Sequence, residues 1–200
     1  MATYKIERDL IEAQKMAEGL SEYVRGTELY GHGGGGFFGS GESPALTVGA
    51  LLLRLRRLNT LQDKLTPEQR RQLKTIQDGF EQVRSEWRLH YEGKLLKEAN
   101  SRMDNIRTYL KEATDSPRTA RANYPTEALR RTIVQEVLRE MHDLGLDSAE
   151  VETKRRDIDG GLRSVVKSAP FLWDALLQQA YPEQEFWWLY HMPEDASAEN

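Results

Sequence analysis

The chain contains no cysteine. That absence removes a disulfide framework, a thiol nucleophile and any cysteine-ligated metal. Histidine is scarce too: His32, His90, His142 and His191 are the whole set. None stands in a His-x-x-x-His or Glu-x-x-His spacing, so neither a helical zinc-protease motif nor a di-iron carboxylate pair is written here. Long apolar runs are missing, and no window approaches the roughly 18 residues that a membrane span needs. The opening MATYKIERDL has no apolar segment leading to a cleavage site, so no secretory leader is expected. No serine lies in a nucleophile-elbow context, and no carboxylate pair stands out among 32 acids. The reading therefore leans away from an enzyme, with no cofactor, no metal and no membrane, in a cytoplasmic setting.

What the chain has in quantity is helical periodicity. From Thr66 to Asp115 the apolar positions Leu73, Ile76, Phe80, Val83, Trp87, Tyr91, Leu95, Ala99, Met103, Ile106, Leu110 and Ala113 recur every three or four residues, which is the α-helical period and not that of a strand. Thr66 as N-cap, Pro67 at the first helical position and Gln69 three residues on form a start signal, and Asp115-Ser116-Pro117 is a stop. The stretch reads as one very long helix or as two in line; Gly79 and Gly93 lie inside it, each costing about 1 kcal/mol against alanine, and a bend or break near Gly93 is as much expected as an unbroken rod.

Other helices follow from the same logic. The first runs from Thr3 to Val24 on a narrow seam of Ile6, Leu10, Ala13, Ala17, Leu20 and Val24. The second covers Ala45 to Lys64 and should form an antiparallel hairpin with the long helix, since only Leu65 to Pro67 separates them. Arg118 to Tyr124 reads as a polar connector. A fourth helix is expected over Pro125 to Leu144 with Gly145 as its stop, and a fifth over Ser148 to Asp159 ended by Gly160-Gly161. For Leu162 to Lys167 helix is preferred to strand, because no second strand is evident to pair with it. The fold class expected is all-α: an elongated bundle of about five to six helices around the long one, forming a single domain over residues 1–192, with a disordered tail at 193–200.

The segment between the first two helices is unusual. Residues 31–43 form a glycine-rich loop, in which the backbone is free of the usual steric limits, yet Tyr30, Phe37 and Phe38 are not the side chains of a plain tether. With His32 they make a candidate binding segment. Its glycines also raise an anion or nucleotide ligand, although no Gly-Lys-Ser/Thr and no preceding strand supply the usual context. Trp187 and Trp188, within Phe186-Trp187-Trp188-Leu189-Tyr190, are a second candidate, being either core or docking surface.

Charge is uneven. Arg54, Arg56 and Arg57 on the second helix and Arg70 and Arg71 on the long helix lie on the two arms of the hairpin near their shared turn, though on several faces, whereas the residues after Lys167 include no lysine or arginine. The arginines are a candidate phosphate-contacting patch, without an identifiable nucleic-acid motif. Arg84 and His90 have the Arg-x5-His form used by the helical HEPN ribonucleases, a spacing that a chain this rich in arginine also produces by chance. The expectation is a non-enzymatic scaffold or adaptor that binds a protein partner or itself as a homo-oligomer. A nucleic-acid partner held by the 54–74 hairpin is the alternative.

Overall fold

A computed structural model describes residues 3–31, 45–113 and 116–194. Among these the fold is mostly helical, with a small strand and turn region rich in aromatics near the C-terminus. The chain divides into two compact units, one spanning Tyr4–Glu98 and one beginning at Ala99.

In the first unit, α1 (Ile6–Arg25) packs against both α2 (Val48–Thr60) and α3 (Pro67–Glu86). Its seam residues Leu10, Ala13, Leu20 and Val24 are buried, as are Leu51 and Leu58 of α2 and Leu73, Ile76 and Phe80 of α3. Pairings fix the directions. Arg54 reaches Glu12 and Arg57 reaches Asp9, so α2 runs antiparallel to α1. Gln69 bonds Glu7 and Gln72 bonds Gln14, so α3 runs parallel to it. The start of α3 is as the sequence indicates: Thr66 Oγ1 accepts from the Gln69 amide at 3.2 Å and Gln69 Oε1 accepts from the Thr66 amide at 2.9 Å, with Pro67 leading the helix.

The long helix is interrupted at Trp87, not at Gly93. Helix α3 ends at Glu86, α4 (Arg88–Ala113) begins after one residue with φ −112° and ψ 34°, and Gly93 lies within α4. Helical hydrogen bonds continue on both sides, from the Trp87 amide to Val83 and from the Tyr91 amide to Trp87, each 2.9 Å. The irregularity accompanies large side chains: the Arg25 guanidinium lies 5.1 Å from the Trp87 ring, and Phe80 meets Tyr91 edge-on at 5.9 Å across the break. Packing of big rings outweighs the local preference of Gly93, where an added Cβ would meet nothing within 4 Å.

The second unit holds the later turns of α4 with α5 (Pro117–Asp143) and α6 (Ala149–Val165). Here three expectations need correction. Arg118 to Tyr124 is helical, with Pro125 inside α5, because Ala120, Tyr124 and Ala128 make a buried stripe that overrides the proline. Gly160-Gly161 does not end α6; a Cβ on Gly161 would come within 2.7 Å of a Leu110 methyl, so the glycine serves close helix approach. The helix preferred over Leu162 to Lys167 holds through Val165, and only at its last residue does a strand begin, β1 (Lys167–Ser168), whose antiparallel partner is β2 (His191–Met192). The stop at Gly145 is as read: φ is +67°, and the bonds Gly145 N–H to His142 O and Leu146 N–H to Met141 O close a Schellman-type end.

Between the strands, the aromatics make one chain of edge contacts: Trp173 with Tyr181, Tyr181 with Phe186, and Phe186 with Trp188, at 4.9, 5.0 and 5.5 Å. Of the expected tail, residues 195–200 lie outside the described residues, while Pro193 is buried and its carbonyl accepts from Arg121.

Candidate interaction site at the neck of the glycine-rich segment

The described residues on either side of the glycine-rich segment meet at one point. Gly31 and Leu46 exchange both backbone hydrogen bonds, at 3.0 and 2.8 Å, forming an isolated antiparallel bridge. Glycine is required at this position, because a Cβ on Gly31 would sit 2.7 Å from Cδ2 of Tyr23. The Tyr23 ring is itself fixed, its hydroxyl donating to the Leu29 carbonyl at 2.7 Å.

Two charged side chains of α4 complete the neck. Lys94 is 4% exposed; its ammonium donates to the Glu28 carbonyl and stands 4.3 Å from the Tyr23 ring centroid. Burial, and then the neighbouring Lys97, push the Lys94 amine below its ordinary value. Glu98, with no exposed surface, accepts from Thr47 Oγ1 at 2.5 Å and from the Gly49 amide at 2.8 Å. Thr47 is the N-cap of α2 and accepts from the Ala50 amide at 3.1 Å. The carboxylate therefore sits at the positive end of α2 and satisfies one of its orphan amides. Lys94 holds the chain entering the segment and Glu98 holds the chain leaving it. One helical turn apart, the two act as a clamp.

Of the residues singled out in the sequence, Tyr30 stands beside the bridge and is 40% exposed. His32, Phe37 and Phe38 lie outside the described residues. The arginines are not brought to one surface. Arg54 is buried against α1, giving Glu12 two hydrogen bonds of 2.9 and 2.6 Å and donating to the Ala50 carbonyl. Burial alone would raise the Glu12 carboxyl, but hydrogen bonds from Arg8 and Arg54 outweigh it and hold it below its usual range. Arg57 faces Asp9, Arg56 is half-buried, Arg70 donates to the Gln62 carbonyl, and Arg71 pairs with Glu68. Arg71 also borders an open groove of about 630 Å³ between α1 and α3, whose lining includes Ala17, Ile76 and Gly79. Arg84 pairs with Glu81 on α3, whereas His90 is exposed on α4, on the other side of the break.

Trp188 is buried in the second unit, its indole N–H donating to Thr132 Oγ1 at 2.9 Å and its ring covered by Arg131 at 3.9 Å. Trp187 is half-buried beneath Arg163 at 4.4 Å.

Sequence reasoning missed Lys94 and Glu98. A signal was present: an i, i+4 pair of opposite charges set inside the apolar run Tyr91, Leu95, Ala99, where a solvated pair does not belong.

No family model, no curated protein and no solved structure matches the chain.

Proposed function

We propose that the protein is a non-enzymatic helical adaptor that presents the glycine-aromatic segment at residues 31–43 to a protein partner. The observation that supports this is the neck: two buried charges of opposite sign hold the chain on either side of the segment, Lys94 on Glu28 before it and Glu98 on Thr47 and Gly49 after it. Burying charges is costly unless they are fully used. A passive tether has no need of such a fixture, while a segment carrying Phe37 and Phe38 gains from a defined point of departure, since a fixed base lowers the entropy lost on binding. The dispersed ion pairs of Arg54, Arg57 and Arg71 favour this reading over a phosphate-binding patch.

The test is paired affinity capture from the source cells with the parent chain and with Phe37→Ser/Phe38→Ser, after circular dichroism and melting have shown equal folding. A protein retained by the parent and lost by the variant supports the adaptor. Identical captured sets, or salt-labile nucleic acid as the retained species, overturn it.

A further inference from the structure

Leu89 on α4 is 81% exposed, and Leu96, two helical turns on, is 45% exposed. Gly93 stands between them on the same face, since positions i, i+4 and i+7 align along an α-helix. All three belong to the first unit. Tyr91 and Leu95 of the same helix are buried, so the exposed leucines form a second apolar stripe that points away from the core. A leucine that leaves most of its surface in water adds little to the stability of its own chain.

The glycine makes the stripe more than two stray side chains. Glycine weakens a helix interior relative to alanine, and within the chain nothing requires it at this position: an added Cβ would meet nothing within 4 Å. Gly31 and Gly161 are the opposite case, each having a neighbouring side chain 2.7 Å from such a Cβ. At an open position on an exposed helix, glycine leaves room for something outside the chain to come close.

The flanking charges select the occupant. Glu86 and Lys97 are both exposed, and neither is in an ion pair among the described residues. With helical hydrogen bonds continuing through Trp87, they lie on one flank of the stripe, the acid before it and the base after it. Arg88 and Glu92, toward the other flank, satisfy each other at 2.7 Å. A stripe with acid at one end and base at the other is its own complement once a second copy is turned end for end. Setting Glu86 level with Lys97 of such a copy puts Leu89 in the gap between Gly93 and Leu96 of the other chain, and the two-fold repeats both contacts. A parallel copy would face acid with acid and base with base.

We propose that the Leu89–Gly93–Leu96 face of α4 pairs with the same face of a second copy of the chain, antiparallel about a two-fold axis. The stripe covers only about 10 Å of helix, far less than a permanent interface needs, so the pairing is weak and depends on concentration.

The experiment is sedimentation equilibrium of the full chain from micromolar to near-millimolar concentration, with a thermal melt of each variant at the dilute end. The parent is expected to pass from monomer to dimer. Leu89→Lys and Gly93→Leu should each abolish the dimer without lowering the melting temperature of the monomer, because both new side chains enter open space. Glu86→Lys and Lys97→Glu should each weaken pairing severalfold, and the chain carrying both changes should recover it, since the exchanged charges again oppose each other. A parent that stays monomeric at every concentration overturns the proposal, whether or not a different protein takes the face. So does a dimer that Leu89→Lys leaves intact, which puts the contact elsewhere, or a double exchange that pairs no better than the single changes.

Discussion

Glu98 and Thr47, 51 positions apart in sequence, are joined by a 2.5 Å hydrogen bond in which the threonine hydroxyl donates to a carboxylate that has no exposed surface. The same carboxylate takes the Gly49 amide, so the start of α2 is closed from another helix rather than by its own residues alone. Glu98→Ala leaves the hydroxyl and the amide buried without that acceptor, and a loss of about 2–4 kcal/mol is expected. Glu98→Gln keeps one acceptor oxygen and should lose less than half as much. Urea denaturation gives both values, and faster exchange of the Gly49 amide would localise the effect. A Glu98→Ala chain within 0.5 kcal/mol of the parent, on the order of an ordinary surface change, would sink this account.

Arg131 is 1% exposed, grips Asp159 with bonds of 2.6 and 3.0 Å, and covers the Trp188 ring. Asp159 also receives Arg155 at 2.8 Å. Removing one partner strands the other in the interior, so Asp159→Asn should destabilise by about 3–5 kcal/mol. Lysine cannot make the two-pronged contact or stack on the indole, so Arg131→Lys should cost about 2 kcal/mol and alter the tryptophan fluorescence. An Arg131→Met/Asp159→Leu double variant should be less destabilised than the losses of Arg131→Met alone and Asp159→Leu alone added together. Additive losses in that cycle would mean that the pair is not coupled.

How far the fold is legible in the sequence depends on whether a local signal had a distant competitor. The capping box at Thr66 and the stop at Gly145 read correctly because each is satisfied within a few residues. The break at Trp87 accompanies a contact with Arg25, 62 positions away, which periodicity does not reveal. Arg118 to Tyr124 looked like a connector because its helix depends on burying Ala120 and Tyr124; the Tyr124 hydroxyl finds the Trp188 carbonyl at 2.8 Å. Strand β1 pairs with a segment that lies beyond the aromatic cluster, where no local signal reaches. At the neck, Gly31 belonged to a segment conspicuous by composition, but Lys94 and Glu98 were hidden within an apolar run.

The adjacent glycines of α6 make a paired test of that distinction. A Cβ on Gly160 meets nothing within 4 Å, whereas one on Gly161 meets the Leu110 side chain at 2.7 Å. Gly160→Ala should therefore gain the full helix preference, about 1 kcal/mol, while at Gly161 the same gain is offset by displacement of Leu110. Thermal melts should place Gly160→Ala above the parent and Gly161→Ala below Gly160→Ala. The reverse order would show that α6 approaches α4 differently.

Glu127 gives the stability a pH dependence of definite sign. Burial is the main cause that raises its carboxyl above the ordinary 4.5, with Glu112 adding to it and Arg130 opposing it; Tyr109, the other titratable group facing it from α4, is itself pushed up to about 12. A carboxyl whose folded pKa lies above its unfolded one binds its proton more tightly when folded. Its favourable contribution is complete below the unfolded value and is lost as pH rises through the folded value. Above that point the folded chain carries a buried charge whose Oε2 has no hydrogen-bond donor among the described residues, the other oxygen being taken by Arg130. Glu127→Gln, always neutral, should thus exceed the parent in stability at pH 7 by about 1 kcal/mol. The advantage should shrink as pH falls and vanish below about 4, where the parent's carboxyl is protonated in both states. Urea denaturation of both chains from pH 3.5 to 8 measures the gap directly. A gap that is constant across that range would mean that Glu127 does not titrate differently on folding, and a gap that widens toward acid would reverse the sign argued from its burial.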